Sequence, residues 1–324
     1  MYPLKFEPFL RTMVWGGEKI APYKEVETDI PHIGESWEIS GVPEHQTVVA
    51  NGPLAGKTVT ELVKEFKGQL VGEHVYAANG DEFPLLIKFI DALSDLSIQV
   101  HPDDAMAERC HGAGMKGKTE MWYVIAADPG AKLYSGLSKE LTPEQYEKMV
   151  ADGTITDALA CYEVHPGDVF FLPAGRIHAI CSGCFIAEIQ QTSDLTYRIW
   201  DYGRLGLDGK PRQLHTELAK QAINFKVEPT YRTDYEPAQN EEVELVSCQY
   251  FTTSVYDLTL PYARDLSEID SFMVVMCMEG RGTLEVDGEE IDVHQGETVL
   301  VPACADDICF IPDGAMKILT SYIR

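Results

Sequence analysis

The chain has little positive charge and no long apolar run. Its 324 residues include 26 Lys and Arg against 52 Asp and Glu, which gives a formal net charge of −26. Nucleic-acid binding normally requires a basic face, so this composition argues against it. A membrane-spanning helix needs about 20 apolar residues, and the most apolar stretch, Phe83 to Leu93, is interrupted by Lys88 and Asp91. We therefore expect neither a nucleic-acid partner nor a membrane span.

A secretory signal and a disulfide pattern are also missing. The start, MYPLKFEPFL, has no basic region followed by an apolar stretch, so we expect a cytoplasmic protein. The eight cysteines are then expected to be free thiols. Cys181 and Cys184 have the spacing of a redox or zinc pair, but they lie in a strand-like run, where positions three apart point to opposite faces. The pair is therefore not expected to bind a metal.

Helical patterns are few, and strand-like runs dominate. Three segments favour helices, at about 55–80, 142–152 and 213–224, and the first contains a capping box at Thr58-Val-Thr-Glu61. Short apolar or alternating runs between Gly, Pro and Asp turns are typical of a sandwich or barrel, so we predict a mainly β fold. The predicted strands include Leu85 to Ile90, Met121 to Ile125, Val169 to Leu172, Phe185 to Gln190, Met273 to Cys277 and Gly282 to Val286.

A short internal sequence repeat indicates two domains. The stretch Gly167 to Pro173 (GDVFFLP) is similar to Gly296 to Pro302 (GETVLVP), which indicates one barrel unit used twice. The polar, turn-rich segment at 227–240 lies between the two copies. We predict a first domain at 1–235, to which the helices are attached, and a second β-barrel domain at 236–324.

Four potential metal ligands carry the chemical signal. In Leu96-Ser-Ile-Gln99-Val-His101-Pro102, Gln99 and His101 project from one face of a strand. In Gly167-x5-Pro173-x-Gly175-x2-His178, two turns aim a histidine into the barrel interior. Glu120 begins a further strand, with Lys118 two residues before it on the same face. One amide oxygen, one carboxylate and two imidazoles suit Zn²⁺ with open coordination positions, with Mn²⁺, Fe²⁺ or Co²⁺ as substitutes.

A single strand histidine is more often structural than metal-binding. What favours a metal site is the combination of both histidine patterns with a carboxylate between them. The remaining seven of the nine histidines fit surface or packing positions: His32, His45, His74, His111, His165, His215 and His294.

These motifs resemble those of the cupin superfamily, and more closely the short form of the type I mannose-6-phosphate isomerases. The Gly-Pro-Gly-His element looks like the second cupin motif, and Gln-x-His with Glu looks like the first. The stretches 96–102 (LSIQVHP), 118–120 (KTE) and 190–198 (QQTSDLTYR) are similar to that family. The resemblance spans nearly the whole chain, from Val14-Trp-Gly-Gly17 to the second barrel. It implies two cupin (jelly-roll type) β-barrels, the second of them degenerate.

The resemblance also implies roles for single residues. It makes Gln99, His101, Glu120 and His178 the ligands of one Zn²⁺ per chain. It implies catalytic roles for Lys118, Glu188 and Arg198, and substrate-binding roles for Trp15, Lys88 and Ser97. Longer family members have Asn-His-Lys-Pro-Glu where this chain has Lys116-Gly-Lys-Thr-Glu120. The histidine and the proline are missing here, so a role of that histidine does not carry over.

The implied reaction interconverts mannose 6-phosphate and fructose 6-phosphate through an enediol. A base must move a proton between C1 and C2. The candidates are Lys118, if nearby cations lower its pKa, and Glu188, if burial raises its pKa, and the sequence leaves both open. Arg198 stays protonated and suits binding of a phosphate or enediolate oxygen. Its alternative is a surface ion pair with Asp194 or Asp201.

Other functions fit parts of the pattern. A cupin dioxygenase would present a histidine-rich iron site, whereas a glutamine here takes the place of one histidine. Another sugar-phosphate isomerase would use the same ligands on a different substrate, and a non-catalytic sugar-binding cupin would need no proton shuttle. We expect a small sugar phosphate as partner and a monomer or homodimer. In the second barrel Cys304 and Asp307 replace the glycine and histidine of the motif, so no metal is expected there.

Overall fold

The computed structural model describes residues 1–324 as a mainly β protein with short helices. None of the helices is long and apolar enough to cross a membrane. The helices are α1 Ile20–Tyr23, α2 Val59–Phe66, α3 Gly68–Val71, α4 Glu73–Asn79, α5 Asp104–His111, α6 Pro143–Ala151 and α7 Thr216–Ala222. The strands are β1 Leu4–Glu7, β2 Phe9–Gly17, β3 Ile33–Ile39, β4 Val48–Val49, β5 Leu85–Asp91, β6 Ile98–Val100, β7 Glu120–Ala127, β8 Lys132–Leu137, β9 Leu159–Glu163, β10 Val169–Leu172, β11 His178–Ile180, β12 Cys184–Gln191, β13 Tyr197–Trp200, β14 Glu242–Ser247, β15 Thr252–Leu258, β16 Tyr262–Asp265, β17 Met273–Val286, β18 Glu289–His294, β19 Thr298–Val301 and β20 Asp307–Tyr322.

Two antiparallel sheets stack on each other in the first two thirds of the chain. One has six strands in the order β10-β7-β12-β5-β3-β2, and the other has five in the order β13-β6-β11-β8-β9. Between them lie 14 buried apolar residues, among them Trp122 and Phe170 from the first sheet and Leu133 and Ile180 from the second. The mainly β class is therefore confirmed.

The sheets of this fold are not closed into barrels by hydrogen bonds. Strand pairing leaves β10 and β2 as free edges of the six-stranded sheet, and β13 and β9 as free edges of the five-stranded sheet. The two sheets are held together by side chains that fill the space between them rather than by hydrogen bonds around a barrel. The result is a sandwich of two open sheets.

A third sheet of nine strands forms the C-terminal part. Its main order is β14-β15-β20-β17-β19-β1-β4, with β16 paired to β20 and β18 paired to β17. The stretches Met273 to Cys277 and Gly282 to Val286, predicted as two strands, are the two ends of β17. Register shifts at Cys277/Glu279 and Gly280/Gly282 bend this strand. The bend lets the sheet fold over a core of 17 buried residues.

The N-terminal strand belongs to this C-terminal sheet. Leu4 of β1 lies opposite Leu300 of β19, and Phe6 lies opposite Val49 of β4. Hydrogen bonds therefore join the two ends of the chain, and the division at residue 235 stays a prediction.

The short helices cover the sheets, and capping residues and positive φ angles set where they begin and end. Thr58 and Glu61 form the reciprocal capping box at the start of α2. Within the predicted segment 55–80, positive φ angles at Lys67 (51°) and Gly72 (97°) split the chain into three helices. Helix α5 was not predicted, although Asp103 caps it by accepting a hydrogen bond from the Met106 amide.

The largest core, 32 buried residues, joins the six-stranded sheet, helices α2 to α4 and the C-terminal sheet. Phe83, which precedes β5, packs against Phe272, which precedes β17, with ring centroids 4.7 Å apart. Both rings are fully buried. This core therefore fixes the C-terminal sheet on the back of the sheet that carries the functional site.

Phe272→Ala should destabilise the protein by about 3–5 kcal/mol, because it leaves a cavity in the shared core. Equilibrium unfolding in urea measures the change. The control is Leu260→Ala, since Leu260 is 60% exposed and its loss should cost less than about 0.5 kcal/mol. A Phe272→Ala variant as stable as the control would contradict this packing.

Candidate metal centre and active-site cleft

The five-stranded sheet aligns three functional side chains in one row. Gln99 on β6 lies opposite His178 on β11 and opposite Arg198 on β13. Directly opposed residues of antiparallel strands project from the same face with Cβ atoms about 5 Å apart. Pairing register therefore places an amide, an imidazole and a guanidinium side by side, although they are far apart in sequence.

The six-stranded sheet presents a second row. Glu188 on β12 lies between Lys88 on β5 and Trp122 on β7. The Trp122 indole N–H donates to Glu188 Oε2 at 2.8 Å, and Lys88 Nζ lies 3.2 Å from Glu188 Oε1. The Trp122 ring meets the His178 ring edge-on, with centroids 5.2 Å apart. The two rows therefore face each other across the sandwich.

Three potential ligands meet between the rows. His101, Glu120 and His178 are all buried, and their ligand atoms lie within 4.8 Å of one another. His101 Nε2 is 3.4 Å from Glu120 Oε2, and His178 Nε2 is 3.3 Å from Glu120 Oε1. One cation placed among these atoms would contact all three side chains.

Backbone carbonyls orient both imidazoles. His101 Nδ1 donates to Leu195 O at 2.9 Å, and His178 Nδ1 donates to Arg176 O at 2.8 Å. Each Nε2 is thus unprotonated, and its lone pair can coordinate a metal, as in metal-bound histidines. Burial lowers the pKa of His178 to about 4 and lowers the pKa of His101 well below its ordinary value. Both rings are therefore neutral at pH 7.

The surroundings of Glu120 are the strongest structural indication of a cation site. Its side chain is fully buried, and neither carboxylate oxygen accepts a hydrogen bond. Burial, followed by the charge of Glu188, raises the pKa of Glu120 to about 8. His178 Nε2 is likewise buried without a partner. Unpartnered buried acceptors are costly, and a bound cation would satisfy all three of these atoms.

Lys118 and Glu188 stand beside this triad. Lys118 Nζ is 3.3 Å from Glu120 Oε2 and 3.3 Å from His101 Nε2. Burial alone would lower the pKa of Lys118, but Glu120 and Glu188 raise it above its ordinary value. Burial alone would raise the pKa of Glu188, but Lys88 and Lys118 lower it below its ordinary value. These opposite shifts favour a lysine ammonium beside a glutamate carboxylate.

A cleft of about 250 Å³ lies next to the triad, and the other predicted site residues line it. Gln99, Lys118, Glu188 and Arg198 line it, together with the predicted substrate residues Trp15, Lys88 and Ser97. Its lining has five cationic side chains and three carboxylates, an excess of two positive charges in a chain of net charge −26. Such a local field attracts an anionic ligand. The charged lining residues are Arg11, Lys88, Lys118, Arg198, Arg212, Glu35, Glu188 and Asp194.

Arg198 is free to bind a ligand. Its Nη1 donates to Gln213 O at 3.0 Å, and its Nε is buried without a partner. Arg198 forms no ion pair with Asp194 or Asp201, and Asp201 is instead bound by Arg204 and Arg212.

Sequence reasoning missed Arg212 and Arg11. Asp201 accepts bonds from Arg212 Nε at 2.7 Å and Nη2 at 2.6 Å, which holds this guanidinium at the cleft. The bridge between Leu205 and Pro211 turns the chain back so that Arg212 returns to the site. Arg11 stacks on Trp37 at 4.7 Å. Neither arginine lies in a motif, and only the tertiary fold brings them to the cleft.

Comparisons with known proteins agree along the whole chain. The family model described as phosphomannose isomerase type I, catalytic domain, matches residues 4–124, and that described as mannose-6-phosphate isomerase, cupin domain, matches residues 241–323. The mannose-6-phosphate isomerase ManA of Bacillus subtilis is 34% identical over 93% of both chains. The mannose-6-phosphate isomerase of Streptococcus mutans is 33% identical over 99% of this chain and 98% of its own.

Solved structures agree with this assignment. The crystal structure of mannose 6-phosphate isomerase from Bacillus subtilis superposes with a TM-score of 0.90 at 31% identity, covering all of both chains. Phosphomannose isomerase of Salmonella typhimurium, at 15% identity, shares the fold with a TM-score of 0.80. The chain therefore belongs to the type I mannose-6-phosphate isomerase family, and the resemblance read from its sequence is confirmed.

Proposed function

We propose that this chain interconverts mannose 6-phosphate and fructose 6-phosphate at a single divalent cation. The observation that carries the proposal is the buried His101–Glu120–His178 triad beside a cationic cleft, in which both Glu120 oxygens and His178 Nε2 have no hydrogen-bond partner. The excess of positive charge among the side chains that line the cleft suits a phosphorylated substrate. We expect the protein to work in the cytoplasm as a monomer or homodimer.

The donor set favours Zn²⁺. Two neutral imidazoles and a carboxylate are the usual protein ligands of a catalytic zinc, and Gln99, opposite His178 in the sheet, supplies a fourth donor. No thiolate is present to restrict the site to softer metals, so Mn²⁺, Fe²⁺ or Co²⁺ can substitute. The bound ion would act as a Lewis acid that stabilises negative charge on a sugar oxygen.

Glu188 is the better candidate for the base. Its pKa is lowered by Lys88 and Lys118 rather than raised by burial as the sequence hypothesis required. It is therefore ionised, and because it lines the cleft, its carboxylate can accept a proton from carbon. Lys118 is held as an ammonium by Glu120 and Glu188, which suits it to stabilise an enediolate oxygen and to return a proton. A dication nearby would lower the pKa of Lys118, and this would ease that proton return.

Arg198 and Arg212 are placed to bind the phosphate. Both line the cleft, and a guanidinium donates charge-assisted hydrogen bonds to phosphate oxygens. Ser97, Lys88 and Trp15 complete the walls. A phosphate fixed at one end of the cleft positions the carbonyl end of the sugar near the triad, and such positioning supplies a large part of the rate.

Membership of the isomerase family favours this function over a dioxygenase. The buried acid–base pair of Lys118 and Glu188 argues against a sugar-binding module, because binding alone needs no such pair.

The metal site is tested by removing one ligand. Purified protein equilibrated with zinc should hold about one ion per chain, and His178→Ala should hold less than about a tenth of that, because the remaining donors cannot close the site. Elemental analysis measures the content, and circular dichroism checks the fold. His294→Ala, which removes a histidine of the C-terminal sheet, is the matched control and should keep the ion. A full equivalent in His178→Ala would refute the ligand assignment.

The reaction is tested by a coupled assay for fructose 6-phosphate formed from mannose 6-phosphate. Prolonged treatment with a chelator should lower the rate by about 100-fold or more, because the charge stabilisation by the ion is worth several kcal/mol. Adding back Zn²⁺, Mn²⁺, Co²⁺ or Fe²⁺ one at a time ranks the metals. No product from the untreated protein, or full activity after verified metal removal, would overturn the proposal.

The roles of Glu188 and Arg198 separate in steady-state kinetics. Glu188→Gln should lower kcat by about 10²- to 10⁴-fold because the base is lost, with KM near that of the parent. Arg198→Ala should lower kcat/KM by about 100-fold, because a charge-assisted contact to substrate is lost. Both variants should retain the metal. If Glu188→Gln turned over at the parent rate, Lys118 would become the base.

A further inference from the structure

The segment that carries Lys118 and Glu120 is anchored from behind. Three consecutive backbone N–H groups each donate to a fixed acceptor. Gly117 N donates to Asp104 Oδ1 at 2.7 Å, Lys118 N to Pro102 O at 3.1 Å and Thr119 N to Gln191 Oε1 at 2.9 Å. The peptide groups on both sides of Lys118 are therefore held, and with them the direction of its side chain.

The two side-chain acceptors are joined to each other and to the C-terminal part of the chain. Gln191 Nε2 donates to Asp104 Oδ1 at 3.0 Å. The Tyr250 hydroxyl, between β14 and β15, donates to Asp104 Oδ2 at 2.8 Å. Burial would raise the pKa of Asp104, but these donors and Gly117 N lower it, so the carboxylate is ionised and its hydrogen bonds are strong.

Close packing leaves the segment little freedom. A Cβ added to Gly117 would lie 2.6 Å from the Asp103 carbonyl carbon and 2.7 Å from the Asp104 amide nitrogen. The backbone at Gly117 thus lies directly on the start of α5. The same helix follows His101 after only two residues, so α5 links the positions of His101 and Lys118.

None of these three side chains lines the active-site cleft. Asp104, Gln191 and Tyr250 instead line a second cleft of about 340 Å³ behind the segment, together with Lys116 and Arg324. They lie outside the proposed substrate site, so any effect on catalysis would pass through the segment they hold.

We propose that Asp104, Gln191 and Tyr250 form a positioning network that holds Lys118 and Glu120 in their working geometry. The proposal rests on the function proposed above. It gives the C-terminal sheet a part in catalysis, because Tyr250 links that region to the catalytic segment. Displacement of a reacting group by about 1 Å can cost about 100-fold in rate, so a network remote from the substrate can still control turnover.

The test compares Asp104→Ala with Asp104→Asn, both assayed with mannose 6-phosphate and excess zinc. Asp104→Ala removes the acceptor and should lower kcat by about 10- to 100-fold with KM changed by less than about threefold. Asp104→Asn keeps an oxygen for Gly117 N and Gln191, and it should retain more than about a third of the parent kcat. Tyr250→Phe should lower kcat by about fivefold.

Tyr23→Phe is the matched control. Its hydroxyl also donates across to the C-terminal sheet, to Met278 O at 2.8 Å, but it makes no contact with the catalytic segment. Its kcat should equal that of the parent. If Asp104→Ala fails to fold, the kcat of Gln191→Met is compared with that of the parent instead. This variant removes the hydrogen bond from Thr119 N and leaves Asp104 in place.

Hydrogen–deuterium exchange gives a readout that does not depend on activity. Peptides covering 112–120 should exchange at least about 10-fold faster in Asp104→Ala than in the parent, and at close to the parent rate in Asp104→Asn. Unchanged exchange and kcat within twofold of the parent in Asp104→Ala would overturn the network. Equal losses in Asp104→Asn and Asp104→Ala would do the same. If the parent and Tyr23→Phe make no fructose 6-phosphate, the proposed function fails instead, and the exchange result still decides the network.

Discussion

Charges buried between two sheets are the constraint on which this structure depends. Lys88, Lys118, Glu120 and Glu188 are all almost fully buried, at separations of 3.2 to 3.3 Å between paired nitrogen and oxygen atoms. A single unpaired ion in such a place would cost several kcal/mol. Strand register sets Glu188 against Lys88, Lys118 lies beside Glu120, and a cation would complete the set. The same burial strengthens every interaction that the site makes with a developing negative charge.

Alternation along the strands explains how one sheet serves both this site and the main core. In β7 and β12 the even-numbered residues, such as Trp122 and Glu188, face the five-stranded sheet and the site. The odd-numbered residues, such as Met121 and Ile189, face the large core shared with the C-terminal sheet. A shift of register by one residue would exchange the two sets. Packing on the back of the sheet thus secures the geometry of the front.

The sequence predicts the locally encoded features well. The strand at Val169 to Leu172 has the predicted bounds, and the capping box at Thr58 forms as its spacing indicates. The four metal-ligand candidates are in short motifs, and three of them converge in the structure. What could not be predicted depends on contacts distant in sequence. Open sheets instead of barrels, β1 pairing with β19, Arg212 returning to the cleft and Tyr250 reaching Asp104 have no local signature.

The central claim is that one cation is held by Gln99, His101, Glu120 and His178. Anomalous diffraction at the zinc absorption edge, from a crystal of zinc-equilibrated protein, tests it most directly. We expect a single peak at about 2.0–2.2 Å from His101 Nε2, His178 Nε2 and one oxygen each of Glu120 and Gln99. A peak elsewhere in the molecule, or none between these side chains in a fully active crystal, would contradict the account.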